Sequence, residues 1–155
     1  MSRAFTAESP WSPDRPETLV VCCSDGRWHA QMVEFVHHEV SDRADLYAVP
    51  GGPAVVDPWN STFDEARALE ESMRLFVEHH DLSGVWLITH EGCAYYRKRH
   101  PHLEGAELRA RQERDLARAR ALLLERHPKL DVRLVFARLE DGRVAFDTVA
   151  KDGSG

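Results

Sequence analysis

Three short apolar runs, separated by segments with helical spacing, are the sequence feature that most constrains the fold. The runs cover residues 19–22, 46–49 and 85–88, and residues 132–139 predict a fourth strand. An uninterrupted apolar run of this length is typical of a strand that is buried on both faces, as strands of parallel sheets are. The sequence therefore predicts an α/β fold with a mostly parallel, four-stranded sheet and helices on both of its faces.

The segments between the runs place apolar residues three and four positions apart, which predicts helices. These helices cover about residues 28–40, 62–80 and 105–127. Thr62 and Glu65 have the spacing of a capping box at the start of the second helix. With right-handed crossovers we expect the strand order 2-1-3-4. A tight turn at 141–142 then leads to residues 144–149, which alternate as an antiparallel edge strand.

Prolines and glycines predict where the regular structure stops, and the chain length predicts the number of domains. Residues 50–53 read Pro-Gly-Gly-Pro and predict a turn, while residues 95–104 are rich in His, Arg and Pro and predict a loop. A chain of 155 residues has the size of one domain. We therefore expect an irregular, proline-rich arm over 1–16, a single α/β domain over 17–150, and a short tail over 151–155.

Charge and composition argue against several classes of partner. The net charge of −6 does not favour binding to nucleic acid, which requires a basic face. No apolar run approaches the roughly 20 residues of a membrane span. The first 15 residues lack the layout of a secretory signal, and three cysteines do not form a disulfide framework. We therefore expect a cytoplasmic protein that binds neither nucleic acid nor membrane.

Metal-binding residue types directly follow the first and third apolar runs. Cys23 follows the first run, and His90 and Cys93 follow the third. In open α/β sheets, sites form at the carboxyl ends of the strands where the strand order reverses, so the order 2-1-3-4 would bring these residues together. Cysteine and histidine are ligands that zinc prefers, and three protein ligands leave a fourth position open, as in catalytic sites. We predict that Cys23, His90 and Cys93 bind zinc.

Zinc in such a site would lower the pKa of a bound water, so that hydroxide exists near neutral pH. Two thiolates donate more charge than histidines do, so activity should rise on the alkaline side. Asp25 and Arg27 can form a bidentate pair that holds the carboxylate in place. Asp25 would then accept a hydrogen bond from that water or replace it as the fourth ligand; alternatively, the pair only shapes the loop. Gly51 and Gly52 are candidates for binding an oxyanion or bicarbonate through their N–H groups, or for a plain turn.

Together, the two groups of residues resemble the β-class carbonic anhydrases, which carry C-x-D-x-R after the first strand and H-x-x-C after the third. The resemblance spans about residues 17–149 and includes the spacing of 67 residues from Cys23 to His90. It implies a zinc lyase that interconverts carbon dioxide and bicarbonate. It also implies that Cys23, His90 and Cys93 are the zinc ligands and that Asp25 and Arg27 form the catalytic dyad. A homodimer or higher homo-oligomer, with the site near the subunit interface, is implied as well.

The sequence departs from the family pattern close to the site. Thr89 precedes the histidine and Ala94 follows the second cysteine, where the family usually has glycine at both positions. Gly26 separates Asp25 and Arg27 where serine is usual, and the loop at 49–53 differs. We therefore expect an intact metal site and a divergent substrate pocket. Two alternatives stay open: hydrolysis of carbonyl sulfide or carbon disulfide at the same zinc site, and a zinc-binding protein without catalysis.

Overall fold

A single five-stranded sheet forms the centre of the computed structural model, which describes residues 4–150. Its strands are β1 (Thr18–Cys23), β2 (Asp45–Val49), β3 (Gly84–His90), β4 (Asp131–Glu140) and β5 (Arg143–Thr148). They lie in the order β2-β1-β3-β4-β5. The first four strands are parallel, and β5 pairs antiparallel with β4 at the edge. The predicted α/β class, strand order and antiparallel edge strand are confirmed.

Helices cover both faces of this sheet, as the sequence predicts. They are α1 (His29–Phe35), α2 (Phe63–His80), α3 (Ala94–Arg99) and α4 (Gly105–Arg126). Side chains of β1 alternate between the faces: Val20 and Cys22 pack with Met32 of α1, whereas Leu19 and Val21 face the core under α2 and α4. None of the helices in the described part of the chain is long and apolar enough to cross a membrane.

The predicted capping box starts α2. The Thr62 hydroxyl accepts a hydrogen bond from the Glu65 N–H at 3.1 Å, and the Glu65 carboxylate accepts one from the Thr62 N–H at 2.9 Å. These two bonds satisfy N–H groups that have no partner within the helix. The capping-box prediction is therefore confirmed.

Three local predictions need correction. Residues 28–40 are not one α-helix, because a 3₁₀ turn (Gly26–Trp28) precedes α1 and a π-helical turn (Val36–Val40) follows it. Apolar spacing shows which face is buried but does not distinguish these hydrogen-bond patterns. The turn at 50–53 runs into a buried 3₁₀ helix (Gly52–Val56), and the predicted loop at 95–104 begins as helix α3. Helix α3 ends before Pro101, which disfavours helical backbone in the residue ahead of it.

Residues 4–17 form no helix or strand. The predicted division into an arm over 1–16, a domain over 17–150 and a tail over 151–155 stays a prediction. The tail and the first three residues lie outside the described residues.

Candidate metal centre

The carboxyl ends of β1 and β3 bring the three predicted ligands together. Cys23 is the last residue of β1 and His90 is the last residue of β3, which pairs with β1 in parallel. Cys93 follows a turn at Gly92 and immediately precedes α3. The ligand atoms of Cys23, His90 and Cys93 all lie within 4.8 Å of one another, and the two sulfurs are 3.9 Å apart.

His90 presents one ring nitrogen to this cluster without a competing partner. The side chain is buried, with 1% of the residue exposed. Its Nδ1 lies 2.8 Å from the carbonyl oxygen of Glu91, which can only accept, so Nδ1 carries the proton. Nε2 is buried and has no hydrogen-bond partner among the described residues. A neutral imidazole with a buried lone pair on Nε2 is the form in which histidine binds a metal.

The thiols of Cys23 and Cys93 lie within hydrogen-bond distance of each other, and each shifts the pKa of the other. The hydrogen bond from Cys93 lowers the pKa of Cys23 well below its usual value, with a smaller contribution from His90. The thiolate of Cys23, together with burial, raises the pKa of Cys93. Backbone N–H groups of Gly51 and Asp25 also favour the thiolate form of Cys23. The lowered pKa of Cys23 favours its thiolate, which is the form that binds a metal.

These residues fit zinc. Zn–S bonds of about 2.3 Å in a tetrahedron place two sulfur ligands about 3.8 Å apart, and the sulfurs of Cys23 and Cys93 are 3.9 Å apart. Two sulfurs and one imidazole nitrogen form a donor set that zinc favours. Three donors leave one tetrahedral position for a water or a substrate.

Asp25 and Arg27 form the predicted pair beside the cluster. Arg27 Nε donates to both carboxylate oxygens of Asp25, at 2.9 and 3.1 Å, and Arg27 Nη2 donates to Oδ2 at 2.5 Å. The Asp25 carboxylate also accepts from the Arg27 N–H and so caps the 3₁₀ turn. The hydrogen bonds from Arg27 lower the pKa of Asp25 to about 2. The Asp25 side chain is 18% exposed, and the Arg27 side chain is 65% exposed.

Gly51 and Gly52 lie against the centre. Both have positive φ, at 81° and 52°. A Cβ on Gly52 would lie 2.7 Å from backbone atoms of Cys22 and Cys23, and a Cβ on Gly51 would lie 2.5 Å from the Tyr95 ring. Glycine therefore allows the close approach of residue 52 to the backbone at Cys23 and of residue 51 to the Tyr95 ring. Substrate binding by these two residues stays a prediction.

A cavity of about 700 Å³ opens beside Cys23 and Asp25. It lies between α1 and the edge strand β2, and Asp14 of the N-terminal segment borders it. Its wall is largely apolar and includes Trp28, Met32, Val33, Val36, Leu46 and Ala48. Leu46 and Val33 are about half exposed on this wall, at 48% and 51%. The cavity therefore places apolar surface directly beside the centre.

Comparison with known proteins identifies the fold. No family sequence model and no curated protein sequence matches the chain. Among solved structures, a carbonic anhydrase from Streptococcus mutans is 14% identical, with a TM-score of 0.59 over 92% of this chain and 87% of that one. The β-carbonic anhydrase CafD from Aspergillus fumigatus is 14% identical, with a TM-score of 0.56 over 94% of this chain and 95% of that one. The fold is that of the β-carbonic anhydrases.

A tetrameric β-carbonic anhydrase from Sordaria macrospora shares the same fold. It is 15% identical, with a TM-score of 0.54 over 88% of this chain and 84% of that one. At sequence identities of 14–15%, these similarities show a shared fold. Within this fold, the group of Cys23, His90 and Cys93 is the feature of this chain that could hold a metal ion.

Two residues that contact the centre were not predicted from the sequence. The sequence predicts no role for Glu91, yet its carbonyl oxygen accepts from His90 Nδ1, and its carboxylate accepts from the Leu139 N–H at 2.8 Å. Gln112 of α4 reaches the backbone of His90. Gln112 lies four residues from both Leu108 and Leu116, on the apolar face of the helix. A polar residue on such a face was the available signal.

Proposed function

We propose that this protein is a zinc lyase that catalyses the reversible hydration of carbon dioxide to bicarbonate. The observation that carries the proposal is the group of Cys23, His90 and Cys93, whose ligand atoms lie within 4.8 Å of one another. The unpaired, buried Nε2 of His90 and the adjacent Asp25–Arg27 pair support it. So does the fold shared with β-carbonic anhydrases.

Cys23, Cys93 and His90 would hold the zinc, and Glu91 keeps the imidazole in the tautomer that leaves Nε2 free. When bound there, zinc would supply a Lewis acid that lowers the pKa of water towards neutrality. Because two thiolates donate more negative charge than two histidines would, we expect the activity to rise on the alkaline side.

Asp25 orients the attacking water. Arg27 fixes the carboxylate through three side-chain hydrogen bonds, which leaves other lone pairs of the carboxylate free to accept. The pKa of about 2 means that Asp25 remains ionised throughout the neutral range. It therefore acts as a hydrogen-bond acceptor and does not store the proton that hydration releases. The engagement of Asp25 with Arg27 favours this role over ligation of the metal.

The substrate class follows from the cavity beside Cys23. Carbon dioxide is small and uncharged, so it needs an apolar path more than specific polar contacts, and Trp28, Met32 and Val36 supply such a wall. Carbonyl sulfide and carbon disulfide meet the same description. The divergent loop at 49–53 keeps hydrolysis of these sulfur analogues as the second substrate class to be assayed.

We further propose that two or more copies assemble through the β2 edge. This strand has a neighbour on one side only, and Leu46 and Val33 expose apolar surface beside it. Pairing with a second copy would cover both the free edge and this surface. We place the protein in the cytoplasm, where its three free cysteines would stay reduced.

The test is stopped-flow hydration of carbon dioxide by zinc-loaded protein, comparing the wild type with Asp25→Asn. We expect Asp25→Asn to keep its zinc and to lose at least a hundredfold in turnover, since its amide presents N–H donors and a weaker acceptor to the water. Asp131→Asn is the control, because Asp131 also accepts from an arginine two residues further on but lies at the start of β4, at the end of the sheet opposite His90. Full turnover in Asp25→Asn would refute the assigned role. Zinc-loaded wild type that is active on carbonyl sulfide but not on carbon dioxide would select the alternative substrate.

A further inference from the structure

The buried side-chain amide of Gln112, on helix α4, reaches the end of β3, where His90 lies. Gln112 is 1% exposed and lies between Leu108 and Leu116 on the apolar face of α4. Its Nε2 donates to the Thr89 hydroxyl at 2.9 Å and to the His90 carbonyl oxygen at 3.0 Å. A buried amide without partners is costly, so the two bonds hold this side chain in one position.

The chemistry of the partners fixes the orientation of the amide. The His90 carbonyl oxygen can only accept, so Gln112 must present its NH₂ group, and both N–H donors of that group are used. Strand β1 pairs with β3 only as far as Cys22 opposite Ile88, so His90 lies beyond that pairing. Gln112 therefore supports the backbone of His90 at a point where β3 no longer pairs with β1.

The next residue, Glu91, is held by strand β4 on the other side of β3. The Glu91 N–H donates to the Ala137 carbonyl oxygen at 2.8 Å, and the Glu91 carboxylate accepts from the Leu139 N–H at 2.8 Å. Because Nδ1 of His90 donates to the Glu91 carbonyl oxygen, a fixed backbone at 90–91 also fixes the imidazole ring. The ring then directs Nε2 towards the sulfurs of Cys23 and Cys93.

We propose that Gln112 and Thr89 form a clamp that positions His90, so that metal affinity depends on a side chain that contacts no metal. The inference rests on the proposed function, since it assigns a positioning role within the same metal centre. Thr89 is 2% exposed, and its hydroxyl is the second anchor of the amide. Glycine at position 89 would supply no hydroxyl, so this anchor depends on a hydroxyl side chain at this position.

The first variant is Gln112→Met, which keeps the length of the side chain and its helix propensity but removes both hydrogen bonds. The probe is cobalt(II), whose affinity is measured by competition with a chelator and whose visible spectrum reports the ligand geometry. We expect at least a tenfold loss of cobalt affinity and an altered spectrum. The control is Leu123→Ala, which lowers stability from the same helix without touching the loop and should bind cobalt as the wild type does. Cobalt affinity and spectrum in Gln112→Met equal to those of the wild type would overturn the proposal.

A second pair of variants decides the question even if Gln112→Met folds poorly. Thr89→Val removes only the hydroxyl and should weaken cobalt binding severalfold, whereas Thr89→Ser should restore it. In the Gln112→Met background, Thr89→Val should add little, because the bond it removes is already lost. Additive losses in the double variant would contradict a shared clamp.

A metal-free readout separates this inference from the proposed function. In the wild type and in Leu123→Ala, the Nδ1–H proton of His90 should give a protected resonance in the nuclear magnetic resonance spectrum. In Gln112→Met this resonance should broaden or disappear; an unchanged resonance would overturn the clamp. Wild-type protein that takes up no cobalt would refute the metal site, and the ring-proton comparison would still decide whether Gln112 positions His90.

Discussion

Substitution of Gly52 by alanine tests how closely the segment after β2 supports the metal loop. Gly52 has φ of 52°, and a Cβ there would lie 2.7 Å from the Cys22 carbonyl carbon and the Cys23 nitrogen. These are backbone atoms, so the clash cannot be relieved by turning a side chain. The left-handed conformation costs about 1–2 kcal/mol for a residue with a Cβ. Forced overpacking costs about 1–3 kcal/mol more.

The reduced entropy of the unfolded alanine chain offsets about 0.4–1 kcal/mol of this loss. The net expectation for Gly52→Ala is a loss of about 1–5 kcal/mol in the free energy of unfolding. For a chain of this length, each kcal/mol corresponds to a fall in Tm of about 2–4 °C. Because the displaced atoms belong to Cys23, cobalt affinity should fall by about tenfold or more as well.

Thermal unfolding of the metal-free protein, together with cobalt competition, measures both effects. The matched control is Gly26→Ala in the neighbouring loop, where a Cβ would meet nothing within 4 Å and φ is not positive. It should leave the free energy of unfolding unchanged or raise it by up to about 1 kcal/mol. Equal Tm values for the two variants would refute the close approach of Gly52 to β1.

Three further predictions concern the centre and its scaffold. The pKa of Asp25 is about 2, below its ordinary 3.8, so its stabilising effect is present above about pH 4 and is lost as the pH falls through 2. The free energies of unfolding of wild type and Asp25→Asn, measured with urea, should therefore converge as the pH is lowered from 5 to 2. A difference that stays constant would contradict this prediction. Cys93→Ser should lose at least tenfold in cobalt affinity, while Cys22→Ala keeps it, and equal affinities would exclude Cys93 as a ligand. Thr62→Ala should lower Tm by about 2–4 °C through loss of about 1 kcal/mol of capping, with cobalt affinity unchanged; an unchanged Tm would count against the capping box.

The sequence predicts the sheet well because its signals are local. The runs at 19–22 and 85–88 become central strands with buried residues on both faces, and the alternation with helices restricts the topology to few choices. The prediction that 46–49 is buried on both faces is wrong, because β2 lies at the edge of the sheet and exposes alternate residues. The positions of Cys23 and His90 at strand ends predict that they meet, since parallel strands bring their carboxyl ends to one edge. The structure places these two residues together with Cys93.

The remaining features depend on contacts between distant segments. Helix α3 is only six residues long, too short to produce a helical pattern, and Tyr96 holds it by packing with Ala54 and Leu108. The role of Glu91 depends on β4, which follows it by about 40 residues in sequence. Gln112 lies 22 positions from His90, and nothing in the local sequence indicates which backbone group its amide would meet.

Zinc titration of chelator-treated protein, followed by stopped-flow hydration of carbon dioxide at mildly alkaline pH, tests the central claim most directly. The account predicts that the hydration rate rises with added zinc and stops rising at about one zinc per chain, as a single Cys-His-Cys site requires. Protein that binds one zinc per chain and still hydrates carbon dioxide no faster than buffer would contradict the account.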